Sequence, residues 1–453
     1  MSKQRTNALK PKVNFDMRTS HLSCFLVVWC LALPAQSARL TDVADAFDVY
    51  KVGDEERIDA FDAYFDLDFS YQQASGLISR EAGARGQTSE CRPGNPEGCL
   101  PVDELSFTES TSLLNVRGEF GIFRDLAMTL NVPIVLSKRL SFDYADGITA
   151  ATSSIDNANA SPGSSAALFA HDLKATYAGV APLELGLRFA GLNDERTPTG
   201  PSWLLAFEWA MPWTSTVYEP AVGQSTDLPV GDGIHRFKFT TALSKRVVNL
   251  GLVGIDKRIM RRGYLEPYVL LSYTLPVTAP EVAVESLQEK AGNPFGASAS
   301  HMAEFYAGFE VVPVENIQTG EDFIIDLGMR TRYVSEGRNY TVLTPALGEL
   351  TYANQYLDLG MHLGLHGHPI DYLRLEFKFD LGYRTEHYLT NENVGEDKTG
   401  NGQVQENECS LTNPDECDLL NNYFDQRVDQ IGYRLLEHGR ITWAIGLTLA
   451  LEL

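Results

Sequence analysis

Eight of the nine histidines lie beyond the N-terminal leader described below: His171, His235, His301, His362, His366, His368, His387 and His438. An imidazole activates a serine or thiol nucleophile only where the two side chains meet. His362 lies on the polar face of a strand-like run, and no serine on that run is spaced to serve it. His366 and His368 fall in what reads as a turn, where solvation is a plainer reading than metal binding. No catalytic residue, cofactor or metal is therefore expected, and the chain does not read as an enzyme. Two acidic stretches, Asp54-Glu55-Glu56 and Asn391 to Glu408, offer carboxylates that could bridge Ca²⁺ to lipid phosphates, but solvated loops look the same.

Cysteine chemistry is more specific. Cys91, Cys99, Cys409 and Cys417 form two copies of one pattern, C-x3-N-P-[DE]-x-C. Asn-Pro favours a tight turn that brings the thiols of each pair together, so two disulfides are expected. Zinc would need ligands these loops lack.

The remaining chemistry is ionic. Asp62, Asp66, Asp68, Arg117, Glu119, Glu208, Arg330, Arg332, His362, Arg374, Glu376, Lys378, Asp380 and Arg384 alternate with apolar residues at a period of two. In strands, that spacing collects both signs of charge on one face. Either the charges fill an enclosed interior as mutually neutralising pairs, or the strand 1 aspartates and the arginines of strands 9 and 11 set up a transverse field along a solute path.

The elements that must position them follow from the same alternation. Phe61 to Tyr71, Leu114 to Ile122, Met128 to Leu136, Leu183 to Phe189, Trp203 to Met211, Phe237 to Leu243, Leu265 to Leu275, Phe305 to Val311, Phe323 to Tyr333, Leu357 to Leu365, Leu373 to Tyr383 and Ile441 to Leu453 read as twelve strands of about ten residues. Connections alternate between short or moderate ones and longer ones such as 72 to 111, 137 to 182 and 386 to 439. An even strand count with one-sided long loops predicts an all-β fold: a transmembrane antiparallel up-and-down barrel with short periplasmic turns and long extracellular loops. Val247 to Gly263 is long for a periplasmic turn and leaves room for an extra pair of half-strands. Pro133 inside strand 3 predicts a bulge. Trp203, Trp209, Trp213, Trp443, Tyr273, Tyr333, Tyr383 and Phe61 suit aromatic girdles at the bilayer interfaces.

Lys3, Arg5, Lys10, Lys12 and Arg18 precede the apolar run Leu22 to Leu33 and a small-residue cleavage pattern, so residues 1 to 37 read as a signal peptide, with Met17 as another possible start. Residues 38 to 60 then form a periplasmic segment, and 61 to 453 the barrel. The full chain carries a net charge of −23; removing the leader's five basic residues and Asp16 leaves 32 bases against 59 acids, or −27. Nucleic acid is a poor partner for such a surface.

Glu119-Phe-Gly-Ile-Phe-Arg-Asp125 with Leu130-Asn-Val-Pro-Ile134, Pro229-Val-Gly-Asp-Gly233, Ala242-Leu-Ser-Lys-Arg246 and Glu266-Pro-Tyr268 resemble stretches of the outer-membrane transporter-like barrels that include the meta-pathway phenol-degradation family. The resemblance implies a narrow channel or transporter in the cell outer membrane of a diderm bacterium, passing small solutes, aromatic or amphipathic ones among them, often with an N-terminal hatch. Ala38 to Ala60 would supply a short hatch at most. The final alternating run is similar to the C-terminal insertion signal of such proteins, although it ends in Leu453; it implies outer-membrane lipid, lipopolysaccharide and the barrel assembly machinery as partners. The other reading is a structural, surface-assembly or polysaccharide-export barrel acting through its extracellular loops.

Overall fold

The computed structural model describes residues 63–81, 99–123, 125–157, 161, 166–192, 200–213, 230–231, 233–249, 261–278, 299–316, 321–348, 350–370, 372–405, 408–409 and 417–452, with Thr41, Val43 and Ala44. The leader, Asp54-Glu55-Glu56, Phe61, Asp62 and Cys91 lie outside them.

Twelve strands form the wall: β1 Ala63–Glu81, β2 Pro101–Phe123, β3 Leu126–Tyr144, β4 Leu183–Leu192, β5 Ser202–Met211, β6 Ile234–Ser244, β7 Arg261–Thr278, β8 Met302–Asn316, β9 Glu321–Val334, β10 Tyr356–Ile370, β11 Leu373–Arg384 and β12 Leu435–Glu452. Each is antiparallel to the next, and β1 returns to pair with β12 from Tyr64↔Glu452 to Arg80↔Leu435, which closes the sheet. Phe65, Leu67 and Phe69 of β1, Met329 of β9 and Leu447 of β12 point outward and are exposed, Met329 to 64% and Leu447 to 60%. The polar alternates face in. A soluble fold buries the apolar face, and this one presents it to lipid.

Trp203 and Trp209 sit near opposite ends of β5, and Tyr273, Tyr333 and Tyr383 lie outward and exposed in the extracellular halves of their strands. These are girdle positions.

Several strands exceed the expected ten residues: β1 has 19 and β2 has 23. The extra length lies above the lipid belt. There the inward face carries Ile78, Leu105, Phe107, Leu140 and Phe142, so apolar side chains appear on both faces and the period of two fades. The Pro133 irregularity is present. Pairing shifts between Ser112 and Leu113 on the β2 side and between Val135 and Lys138 on the other, where Lys174–Val180 continues the line of β4 across a break at Ala181-Pro182. The Ala181 N–H donates to the Pro133 carbonyl at 2.8 Å, bridging the gap. In the long β6–β7 connection, Val248–Asn249 pairs with Leu265 and Tyr264 of β7, a short extra strand.

The inward apolar residues meet a cap. Ile155, Leu168, Phe169 and Leu173 from the loop 145–173, Val342, Leu343 and Ala346 from 335–355, and Leu389 and Val428 from 385–434 pack on them in one buried cluster. The middle loop holds a short pair, Gly337–Asn339 with Thr351–Ala353, and the one-turn helix α1 Thr344–Leu347. Arg80, 1% exposed, ties the outer two loops to β1 by donating to the carbonyls of Ser154, Arg427 and Tyr433 at 2.9, 2.7 and 3.2 Å and to Ser161 Oγ at 3.0 Å. Cys409 and Cys417 are bonded to each other in the third loop, and Cys99 is also disulfide-bonded.

Candidate conduit inside the barrel

Register decides which charges meet. On β12 the inward positions are small: Ala450, Thr448, Gly446 and Ala444. Asp66 of β1 and Arg374 of β11 share the row of Ala450 and reach over it to 3.3 Å, while Asp68 and Lys378 approach to 3.5 Å. Arg374 also binds Glu452 at 2.8 Å. On the next strands Asp358 accepts from Arg332 at 2.7 Å and from Arg384 at 2.7 Å. Of the two readings of these charges, the contacts fit mutually neutralising pairs: the opposite charges pair sideways along the wall, one or two strands apart. Glu208 pairs with Lys238 at 3.3 Å in the same lateral manner.

Among the described residues, three cavities follow one another along the interior. The inner one, about 450 Å³, is lined by Asp66, Asp68, Arg117, Glu119, Arg374, Glu376 and Lys378. The middle one, about 260 Å³, is lined by Arg330, Arg332, His362, Asp380 and Arg384. The outer one, about 400 Å³, lies under the cap, with Tyr340, Thr341 and Val342 as part of its lining. Tyr306 lines both lower cavities, and Arg384 and Arg440 line both upper ones. Those shared side chains stand between adjacent cavities, as a lower and an upper neck.

The lower neck has a built support. Tyr268 of β7 and Tyr306 of β8 stack with ring centroids 5.5 Å apart, and each hydroxyl lies over a glycine of the following strand, Gly308 and Gly328. A Cβ at Gly328 would collide with the Tyr306 hydroxyl. Tyr268 donates to Asp326 at 2.5 Å, and its hydroxyl oxygen lies 3.2 Å from that of Tyr306, which fixes both rings against the wall.

His366 and His368 are not in a turn: β10 runs to Ile370 and carries both on its inward face with His362. The alternation weakens there because Gly367 stands at an outward position where an apolar residue would continue the pattern. Each imidazole has acidic neighbours, His362 with Asp380 at 2.8 Å and Asp326 at 3.6 Å, His366 with Glu376 at 3.3 Å, and His368 with Asp322 at 2.7 Å and Glu452 at 3.3 Å. Sequence reasoning also missed Tyr268, Tyr306, Glu109, Lys138, Glu437 and Arg440. Glu109, Lys138 and Glu437 fall within segments read as loop, yet Glu109 lies inside the wall, 3.3 Å from Lys138 and 3.4 Å from Arg440.

At the periplasmic end the described part of the N-terminal segment lies against the inner wall. The Ala44 N–H donates to Glu119 Oε1 at 3.0 Å, Thr41 Oγ1 meets Ser244 Oγ at 2.8 Å, and Val43 and Ala44 pack on Ala127, Ala190, Leu204 and Ala242. Glu119 is further held by Arg188 at 2.6 Å, and Glu266 lies 3.4 Å from Ser244 Oγ and 3.7 Å from Arg246. Three of the stretches behind the family resemblance thus converge on one place.

A closed antiparallel barrel satisfies every wall hydrogen bond internally, and only such a sheet or a helix can cross lipid. With its greasy exterior and ionic interior, the chain is a transmembrane β-barrel of the bacterial outer membrane. Among solved structures it is similar to an outer-membrane channel from Pseudomonas putida F1 (11% identity, 88% of this chain and 98% of that chain, TM-score 0.38), a FadL homologue from Pseudomonas aeruginosa (10%, 87% and 90%, 0.29) and an anion-selective porin from Comamonas acidovorans (8%, 86% and 98%, 0.23). No protein-family model and no curated protein matches the chain.

Proposed function

We propose that this barrel is a narrow, gated channel for small solutes, amphipathic molecules with one charged group being the best fit. The observation that carries the reading is the stack of three ion-lined cavities joined by two necks and roofed by a folded cap. Paired charges along the walls offer both acceptors and donors to a solute head group, and the tyrosines at the lower neck offer an aromatic face. With a cap above and the Thr41–Ala44 region below, passage requires one of them to move. The cap's own apolar core favours a second reading, a barrel acting through its loops in surface assembly. Planar-bilayer recordings separate the two. The channel reading expects small unitary currents that grow when residues 38 to 60 are removed or the cap is loosened; silence in all three forms would refute it.

A further inference from the structure

The third cap loop contains a stretch whose oxygen-bearing residues recur at fixed intervals: Asp397-Lys-Thr-Gly-Asn-Gly-Gln-Val-Gln-Glu-Asn-Glu408. Counted from Asp397 as position one, Thr399 is third, Asn401 fifth, Gly402 sixth, Gln403 seventh, Val404 eighth, Gln405 ninth and Glu408 twelfth. A twelve-residue Ca²⁺ loop takes ligands from positions one, three, five, seven through its carbonyl, nine and twelve, with glycine at six for the sharp turn. Gly402 has φ of 84°, the left-handed region that this turn demands.

The fold brings the middle and the end of the stretch together. Glu408 Oε1 accepts from Asn401 Nδ2 at 2.8 Å, so position twelve already reaches position five. Its other oxygen, Oε2, is buried and has no hydrogen-bond partner. A carboxylate oxygen hidden from water and left without a donor is costly, and a cation is the natural partner that restores the balance. Asp397 accepts N–H donations from Gly400 and Gly402 at 2.6 Å each, which holds its carboxylate in place within the loop. Asp418, beside the Cys409–Cys417 disulfide, braces the loop from behind by accepting from the N–H groups of Lys398, Thr399 and Gln405. Among the described residues no three His, Cys, Asp or Glu side chains gather to hold a metal. This loop instead spaces two carboxylates among neutral oxygens, the chemistry of a hard-cation site.

We propose that Asp397–Glu408 is a Ca²⁺-binding loop in the extracellular cap, with Asp397, Thr399, Asn401, the Gln403 carbonyl and Glu408 as its ligands. Two charged ligands place the affinity in the range of extracellular modules, a Kd of about 0.1–1 mM. Ca²⁺ binding would lock the third loop in place.

The test is calorimetric titration of CaCl₂ into the full chain folded in detergent, with folding verified by heat-dependent gel mobility. One saturable Ca²⁺ per chain is expected, with Mg²⁺ binding weaker. Glu408→Gln should weaken binding at least about tenfold, as outer positions of such loops set affinity. Glu408→Asp, which keeps the charge and shortens its reach, should also weaken it, and Asp397→Asn gives an independent reading should a Glu408 variant fail to fold. Absence of saturable Ca²⁺ binding, or equal binding in wild type and every folded variant, would overturn the proposal.

Discussion

Asp66 and Arg374, on strands that do not touch, meet at 3.3 Å across the methyl group of Ala450, which is fully buried between them. In that row the strand separating them contributes a small residue and the clearance that allows the contact. Arg374→Ala would leave Asp66 without this partner at the wall of the inner cavity. We expect the conductance to become more cation-selective, read as a shifted reversal potential across a KCl gradient, with the shift shrinking at high salt. An unchanged reversal potential would mean that the inner cavity is off the ion path.

Gly328 is a second place where the wall is thinned for a neighbour. Gly328→Ala puts a methyl group into the Tyr306 hydroxyl, and overpacking of this kind costs about 1–3 kcal/mol. Urea unfolding in detergent should show that loss. Combining it with Tyr306→Leu should cost less than the sum of the two single changes, because the collision is removed; strict additivity would show that the tyrosine does not rest there.

Arg80 holds the cap down. Arg80→Ala strips its donors from Ser154, Ser161, Arg427 and Tyr433. Leaving a buried acceptor without its donor costs about 1–3 kcal/mol. The loops 145–173 and 385–434 should become protease-sensitive while the wall stays folded, and single-channel current should rise. A loosened cap with wild-type current would separate the cap from gating.

Asp429 gives the cap a pH dependence. Burial pushes its carboxyl up from 3.8 to about 7, partly offset by N–H donations from Glu392 and Asp425 at 3.0 and 2.9 Å. Between those two values the folded cap holds a proton that the unfolded loop releases, so cap stability falls as pH rises through that window and levels off above it. The protection of amides in residues 385–434, taken relative to their intrinsic base-catalysed exchange rate, should be lower at pH 8 than at pH 5. Asp429→Asn, always neutral, should flatten the difference; an undiminished slope would assign it to other groups.

The wall was legible because lipid contact and water contact alternate residue by residue. Phe65, Leu67 and Phe69 against Asp66 and Asp68 state the pairing face without any partner strand. The cap was not, since Ile78, Leu105 and Phe142 face inward at a height where the interior is no longer wet, and their meaning depends on loops hundreds of residues away. Which charge meets which was equally hidden: the Asp66–Arg374 contact needs the register of β12 and the smallness of Ala450. The Asp397–Glu408 spacing was readable throughout, but Thr399 at the third position dilutes the acidic pattern that usually draws the eye.

The seam between β1 and β12 joins the first wall strand to the last. During assembly of the sheet the leading strand must therefore wait, with one edge unsatisfied, until the trailing one is in place, and an open ribbon before that moment is prone to adhere to its neighbours. A chain lacking β12 would not make a narrower cylinder; it would strand two sticky margins and separate the very partners that bridge them.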